Sequence, residues 1–264
     1  MTRPQSLLLA LLCVTTTQIS CGAKPQISSG QSSDPYAPTA FSASHTSEFV
    51  TTPSPVMSPH EEGFKLLTRA DFDSFEAQQT TWEATSEGIR CRGRPKGYLF
   101  SKQSFRNFEL RLQLRYLEPE EARSLERNST KPPGQSITQT AHQPKQQPFH
   151  GNTGILVFIV GEHKIWPVCL EVQGKYSELG TIKANGGAEQ PQVEDHPDVR
   201  ERVRRNPYDW QELSILALDG ALTVKLNGEI VARSQPAFLS EGQIGFQAEG
   251  FPYEVQRIRI RELP

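Results

Sequence analysis

Residues 107–116 read Asn107-Phe108-Glu109-Leu110-Arg111-Leu112-Gln113-Leu114-Arg115-Tyr116. Phe108, Leu110, Leu112, Leu114 and Tyr116 share one parity, and Glu109, Arg111, Gln113 and Arg115 the other. A period of two is the signature of a strand with one buried and one polar face; a helix would scatter these apolar residues around its circumference.

The same signature recurs on both sides. Trp82-Glu83-Ala84 and Ile89-Arg90-Cys91 read as a pair joined through Ser86-Glu87-Gly88, and Gly97-Tyr98-Leu99-Phe100 as a further short strand. Residues 155–160 form an apolar, β-branched run with the length of a buried strand, entered through Gly151-Asn152-Thr153-Gly154. Downstream, Asp219-Gly220 and Asn227-Gly228 are two-residue hairpin signals between the alternating stretches 213–218, 222–226 and 229–232. In the last stretch Tyr253 and Val255 have one parity and Ile258 and Ile260 the other. That switch predicts a bulge at Gln256-Arg257 or a bend at which the strand changes faces.

Two stretches break the pattern. Residues 118–150 begin with a short helical segment, Glu118 to Arg123, and continue as a Gln/Pro/Thr-rich insertion. A charged connection containing Glu194, Asp195, His196, Asp198, Arg200, Glu201, Arg202, Arg204 and Arg205 reads as a solvated loop. No helix is required and no fixed-period repeat is present. The reading is all-β: a two-sheet jelly-roll β-sandwich of the concanavalin A/glucanase-like kind.

The chain has 264 residues with 28 basic and 30 acidic side chains, a net charge of −2. That balance offers no electrostatic footprint for nucleic acid, and no apolar run reaches membrane-spanning length. Arg3, the apolar stretch 7–14 and the small residues Ser20, Cys21, Gly22 and Ala23 have the pattern of a bacterial export signal. Cleavage before Cys21 would lipidate that cysteine; cleavage after Ala23 is the alternative. Residues 1–21 are therefore the leader, 22–62 a Ser/Thr/Pro-rich tether, and 63–264 the folded domain. Export to the cell envelope or beyond follows, with contact to a membrane only through a lipid anchor. Cys91 and Cys169 remain in the mature chain, either paired or as two buried thiols.

The strand 169–173 reads Cys169-Leu170-Glu171-Val172-Gln173. Leu170 and Val172 face one way, Glu171 and Gln173 the other, so a carboxylate and an amide project from the same side. The six histidines show no metal-binding spacing, and there is no phosphate loop or serine elbow; no metal and no cofactor are expected.

In order along the chain, several motifs resemble the 3-keto-disaccharide hydrolase domain family of concanavalin A-like sandwiches. They are Gly63-Phe64-Lys65-Leu66-Leu67, Gly97-Tyr98-Leu99, Asn107-Phe108-Glu109-Leu110-Arg111, Gly151-Asn152-Thr153-Gly154-Ile155, and Trp166-Pro167 ahead of Glu171-Val172-Gln173. Further on come Asp209-Trp210-Gln211-Glu212-Leu213, Leu226-Asn227-Gly228, residues 242–250 and Ile258-Arg259-Ile260-Arg261-Glu262-Leu263. The resemblance spans 63–264. The chain departs from it at Thr181, where the family often carries Asp, and in the length of the 118–150 insertion.

The resemblance implies a sugar site on the concave face of the sandwich and an oligosaccharide or keto-glycoside as substrate. Its lining would come from Glu109, Arg111, Asn152, Trp166, Glu171, Gln173, Lys183, Gln247 and Glu249. An ordinary glycosidase needs two carboxyl groups about the scissile bond, and the amide of Gln173 can serve as neither. A ketone at C3 lowers the requirement, because it acidifies the C2 proton and one general base can then start elimination at C1. Glu171 is the expected base, with Gln173, Asn152 and Lys183 orienting the sugar or holding the oxyanion. Two other readings remain: a non-catalytic carbohydrate-binding module, with an open groove and aromatic platforms, and an interaction domain, with a large exposed apolar patch.

Overall fold

A computed structural model of the chain describes residues 61–75, 79–127 and 149–264. The leader with Cys21, the tether up to residue 60, and 128–148 of the insertion lie outside the described residues.

In chain order the strands are β1 (Lys65–Leu66), β2 (Phe72–Phe75), β3 (Trp82–Ala84), β4 (Gly88–Cys91), β5 (Gly97–Phe105) and β6 (Phe108–Tyr116). Helix α1 (Pro119–Arg127) is followed by β7 (Gly154–Val160), β8 (Val168–Gln173), β9 (Ile182–Asn185) and β10 (Val193–Asp195). After helix α2 (Pro197–Val203) come β11 (Gln211–Leu218), β12 (Ala221–Leu226), β13 (Glu229–Ser234), β14 (Gly242–Ala248) and β15 (Tyr253–Glu262). Among the described residues they form two antiparallel sheets. One runs β10-β13-β12-β11-β6-β15-β4-β3 with β1 added along β15; the other runs β2-β5-β14-β7-β8-β9. The result is the expected jelly-roll sandwich. No helix among the described residues is long and apolar enough to cross a membrane.

The core lies between the sheets. Phe108, Leu110, Leu112, Leu114 and Tyr116 of β6 meet Ile155, Val157, Leu170, Val172 and Phe246 from the other sheet, all at most 3% exposed. Each such side chain contributes about 1.5–3 kcal/mol of transfer free energy. The two hairpins form where the dipeptides place them, with φ positive at Asp219, Gly220, Asn227 and Gly228, as a tight primed turn requires. The parity switch in β15 is a bulge: pairing with β6 shifts between Gln256 and Arg259, and Arg257 takes φ 52°. Tyr253, Val255, Ile258 and Ile260 are thereby all buried.

Three features differ from the sequence reading or resolve it. Strand β7 is buried on both faces: Ile155, Val157 and Phe158 join the main core, while Leu156 and Ile159 join a second cluster with Tyr98 and Cys169. The charged connection is not a solvated loop. It contains β10 and α2, and Arg200 is 4% exposed, donating to the Leu179 carbonyl and paired with Asp195. Pro197 at the helix start and Asp198 in its first turn were the local signals. Cys91 and Cys169 are free, buried thiols.

Candidate functional site

Sheet register assembles the site on the outer face of the six-stranded sheet. Glu171 on β8 sits between Leu156 on β7 and Lys183 on β9. Gln173 pairs with Gly154, and Gln247 on β14 pairs with Tyr98 on β5. Gly154 is the pivot. A β-carbon there would stand 2.2 Å from Gln247 Oε1 and 2.6 Å from Glu171 Oε1, so only glycine lets the amide and the carboxylate converge.

Glu171 is 7% exposed. Burial pushes its carboxyl up to about 7, and the neighbouring charge of Glu249 adds to the rise; Lys183 and a 3.1 Å hydrogen bond from Asn185 Nδ2 oppose it. A carboxyl that titrates near neutrality is suited to accept and return a proton. Lys183 is not dedicated to Glu171. Its ammonium is paired with Glu178, which also accepts from Lys175 at 2.5 Å. Those two hydrogen bonds hold Glu178 down at about 2.

Gln247 is 2% exposed, and neither atom of its side-chain amide has a hydrogen-bond partner among the described residues. Its main chain, by contrast, is pinned: Thr153 Oγ1 and the Tyr253 hydroxyl both donate to its carbonyl, at 2.8 and 2.7 Å. A buried amide left open costs about 1–3 kcal/mol, so a fixed backbone carrying an open amide marks a place prepared for a ligand. Nearby, Asn152 Nδ2 donates to Glu249 Oε2, while Asn152 Oδ1 is buried without a partner. Burial raises the Glu249 carboxyl, against the pull of Lys96 and the Asn152 hydrogen bond. Gln173 Oε1 accepts from the Lys175 amide at 2.8 Å.

The β7–β8 loop, residues 161–167, folds over this face. His163 Nδ1 and the Tyr98 hydroxyl are hydrogen-bonded at 2.8 Å, and the His163 ring stacks on Phe100 with centroids 3.9 Å apart. The Lys164 ammonium donates to the Gly186 carbonyl at 3.0 Å. The loop thereby presents Ile165 and Trp166, 42% and 41% exposed, beside a narrow cleft formed with Lys96, Gln247 and Glu249. The cleft is narrow, too tight as it stands for a water molecule.

The structure thus gathers Asn152, Trp166, Glu171, Gln173, Lys183, Gln247 and Glu249 about one face. Glu109 and Arg111, expected in the same lining, are not there. They lie on β6 in the other sheet. Glu109 accepts from Arg111 and Arg261 at 2.7 Å, Arg111 is paired with Glu61, and the guanidinium groups of Arg111 and Arg261 lie 4.7 and 4.6 Å from the Phe64 ring centroid. They strap residues 61–64 to the sheet. Alternation places two residues on one face of a strand but does not say which sheet the strand joins. Asn185, Glu178, His163 and Lys96 were not anticipated: a side chain at a strand end or in a loop carries no periodic signal. Among the described residues no three His, Cys, Asp or Glu side chains are grouped to hold a metal ion.

No curated protein matches the sequence. Two solved structures of candidate glycosyl hydrolases from Parabacteroides distasonis ATCC 8503 share the fold. One is 15% identical with a TM-score of 0.51, covering 77% of this chain and 95% of its own. The other is 18% identical with a TM-score of 0.50, covering 76% of this chain and 99% of its own. At such identities the likeness is one of fold. The sequence itself matches a family model over residues 65–261, nearly the whole of the sandwich, and the chain belongs to the 3-keto-alpha-glucoside-1,2-lyase-like domain family.

Proposed function

We propose that this protein cleaves 3-keto-glycosides by elimination, with Glu171 as the general base. The observation that carries the reading is the buried Glu171 carboxyl, poised at about 7, beside the unpartnered Gln247 amide. The match to the 3-keto-alpha-glucoside-1,2-lyase-like domain model supports the choice of substrate class.

Glu171 takes the proton from C2, which the C3 ketone acidifies. The electron pair moves into the C2–C3 bond and onto the ketone oxygen, where Gln247 Nε2 donates a hydrogen bond to the developing enolate. Collapse of the enolate forms a C1–C2 double bond, restores the ketone and breaks the bond from C1 to the leaving oxygen. That oxygen acquires a proton and departs as an alcohol. Addition of water across C1–C2 would complete a net hydrolysis. Gln247 takes the oxyanion role expected of Gln173, Asn152 or Lys183, the last of which shares its charge with Glu178. Gln173 and Asn152 orient the ring. We further propose that residues 1–21 serve as an export leader, with Cys21 as the lipid anchor to the cell envelope.

The test is incubation of the purified chain with 3-keto-disaccharides and with their unoxidised parents. Product from the first alone is the expected result; product from the second, or from neither, overturns the reading. The exposed Trp166 platform favours a second reading, a carbohydrate-binding module. It predicts saturable binding with no product from either sugar.

A further inference from the structure

The cleft at Trp166 does not include Glu171. It runs past Gln247 toward Glu249, Lys96 and Ile165, on the far side of the open amide. The site is therefore laid out in sequence: base, open amide, second carboxyl with an aromatic platform. Building on the elimination reading, we propose that Glu249 is the proton donor to the leaving oxygen and that the narrow cleft between Glu249 and Trp166 marks the leaving-group subsite.

Four observations carry this. Glu249 lines the cleft, so its carboxyl is available to a bound group. Asn152 Nδ2 holds Glu249 Oε2, which fixes that oxygen and leaves Oε1 as the one without a hydrogen bond among the described residues. Asn152 Oδ1 is itself buried and unpartnered, an acceptor for a substrate hydroxyl next to the same carboxyl. Trp166 stands over the cleft, 41% exposed, where an indole can stack on a pyranose or an aryl ring.

The proton balance follows. Elimination moves the C2 proton to Glu171 and the Glu249 proton to the departing alkoxide. If water then adds, the Glu249 carboxylate takes a proton from the water that attacks C1, and Glu171 returns its proton to C2. Both carboxyl groups are restored, and one site performs elimination and hydration without an external acid or base.

The experiment compares Glu249→Gln with the unchanged chain on three 3-keto-glucosides, carrying glucose, methanol or 4-nitrophenol as leaving group. Gln at 249 can still accept from Asn152. A loss of kcat on the order of 10²–10⁴-fold on the glucosyl and methyl substrates, with near-normal release of 4-nitrophenolate, is expected, because that anion leaves without a proton. Equal losses on all three, or no loss on any, overturn the assignment. Trp166→Ala is expected to raise KM for the glucosyl and nitrophenyl substrates but not for the methyl one; a uniform effect overturns the subsite. Glu171→Gln is expected to lose all three substrates. An unchanged chain inactive on all three removes the elimination reading itself and this inference with it, whereas activity with a Glu249 effect independent of leaving group removes only the inference.

Discussion

Replacing Glu171 by Gln separates stability from activity, in opposite directions. In the folded chain burial displaces this carboxyl from 4.5 to about 7. The unfolded chain releases the proton near 4.5 and the folded chain near 7, so between those values the folded state holds more protons. Stability from this group is therefore fully present below about 4.5, falls as pH rises, and is lowest above about 7. At about 1.36 kcal/mol per pH unit, the displacement costs the native protein about 3 kcal/mol at pH 8. Gln has no such slope and can still accept from Asn185 Nδ2. The difference in unfolding free energy between the variant and the parent should be near zero at pH 4 and about 3 kcal/mol in favour of the variant at pH 8, a melting increase of roughly 6–12 °C for a domain this size. Urea unfolding at both pH values measures it, and the titrating groups not coupled to Glu171 cancel in the difference. Turnover of a 3-keto-glucoside should vanish in the variant, while the parent's kcat/KM should rise through about pH 7 as the base deprotonates. A difference that is flat between pH 4 and 8, or a variant that retains full turnover, refutes the placement of an ionisable base in a dry site.

Gln247→Met removes two buried amide atoms that have no partner and should raise stability by about 1–3 kcal/mol while abolishing turnover; a lower melting temperature would show the amide to be satisfied within the protein. Gly154→Ala drives a methyl into the carboxylate and amide oxygens, so kcat/KM should fall about 100-fold through misplacement, with circular dichroism unchanged. Phe64→Ala empties the slot between Arg111 and Arg261 and should cost about 1–2 kcal/mol in urea unfolding with kcat unaffected; a loss of kcat would return Glu109 and Arg111 to the site.

The sequence by itself determined the sandwich and half of the site. Strand parity in 107–116 and 169–173, two Asp/Asn-Gly hairpins and the parity switch before Ile258 are local facts. Backbone sterics and side-chain alternation act within a few residues, so the chain displays them directly. That Glu171 and Gln173 share a face was legible for the same reason. Tertiary structure decided which sheet each strand joined, and so removed Glu109 and Arg111 from the lining: both belong to a flawless alternating strand, but alternation is blind to its partner. It also decided that Lys183 is shared with Glu178, that Gln247 lies beside Glu171 across a glycine, and that the 161–167 loop stands beside Gln247. Those relations depend on register between strands far apart in the chain, and desolvation, which raises Glu171 toward neutrality, exists only once the strands have come together and excluded water.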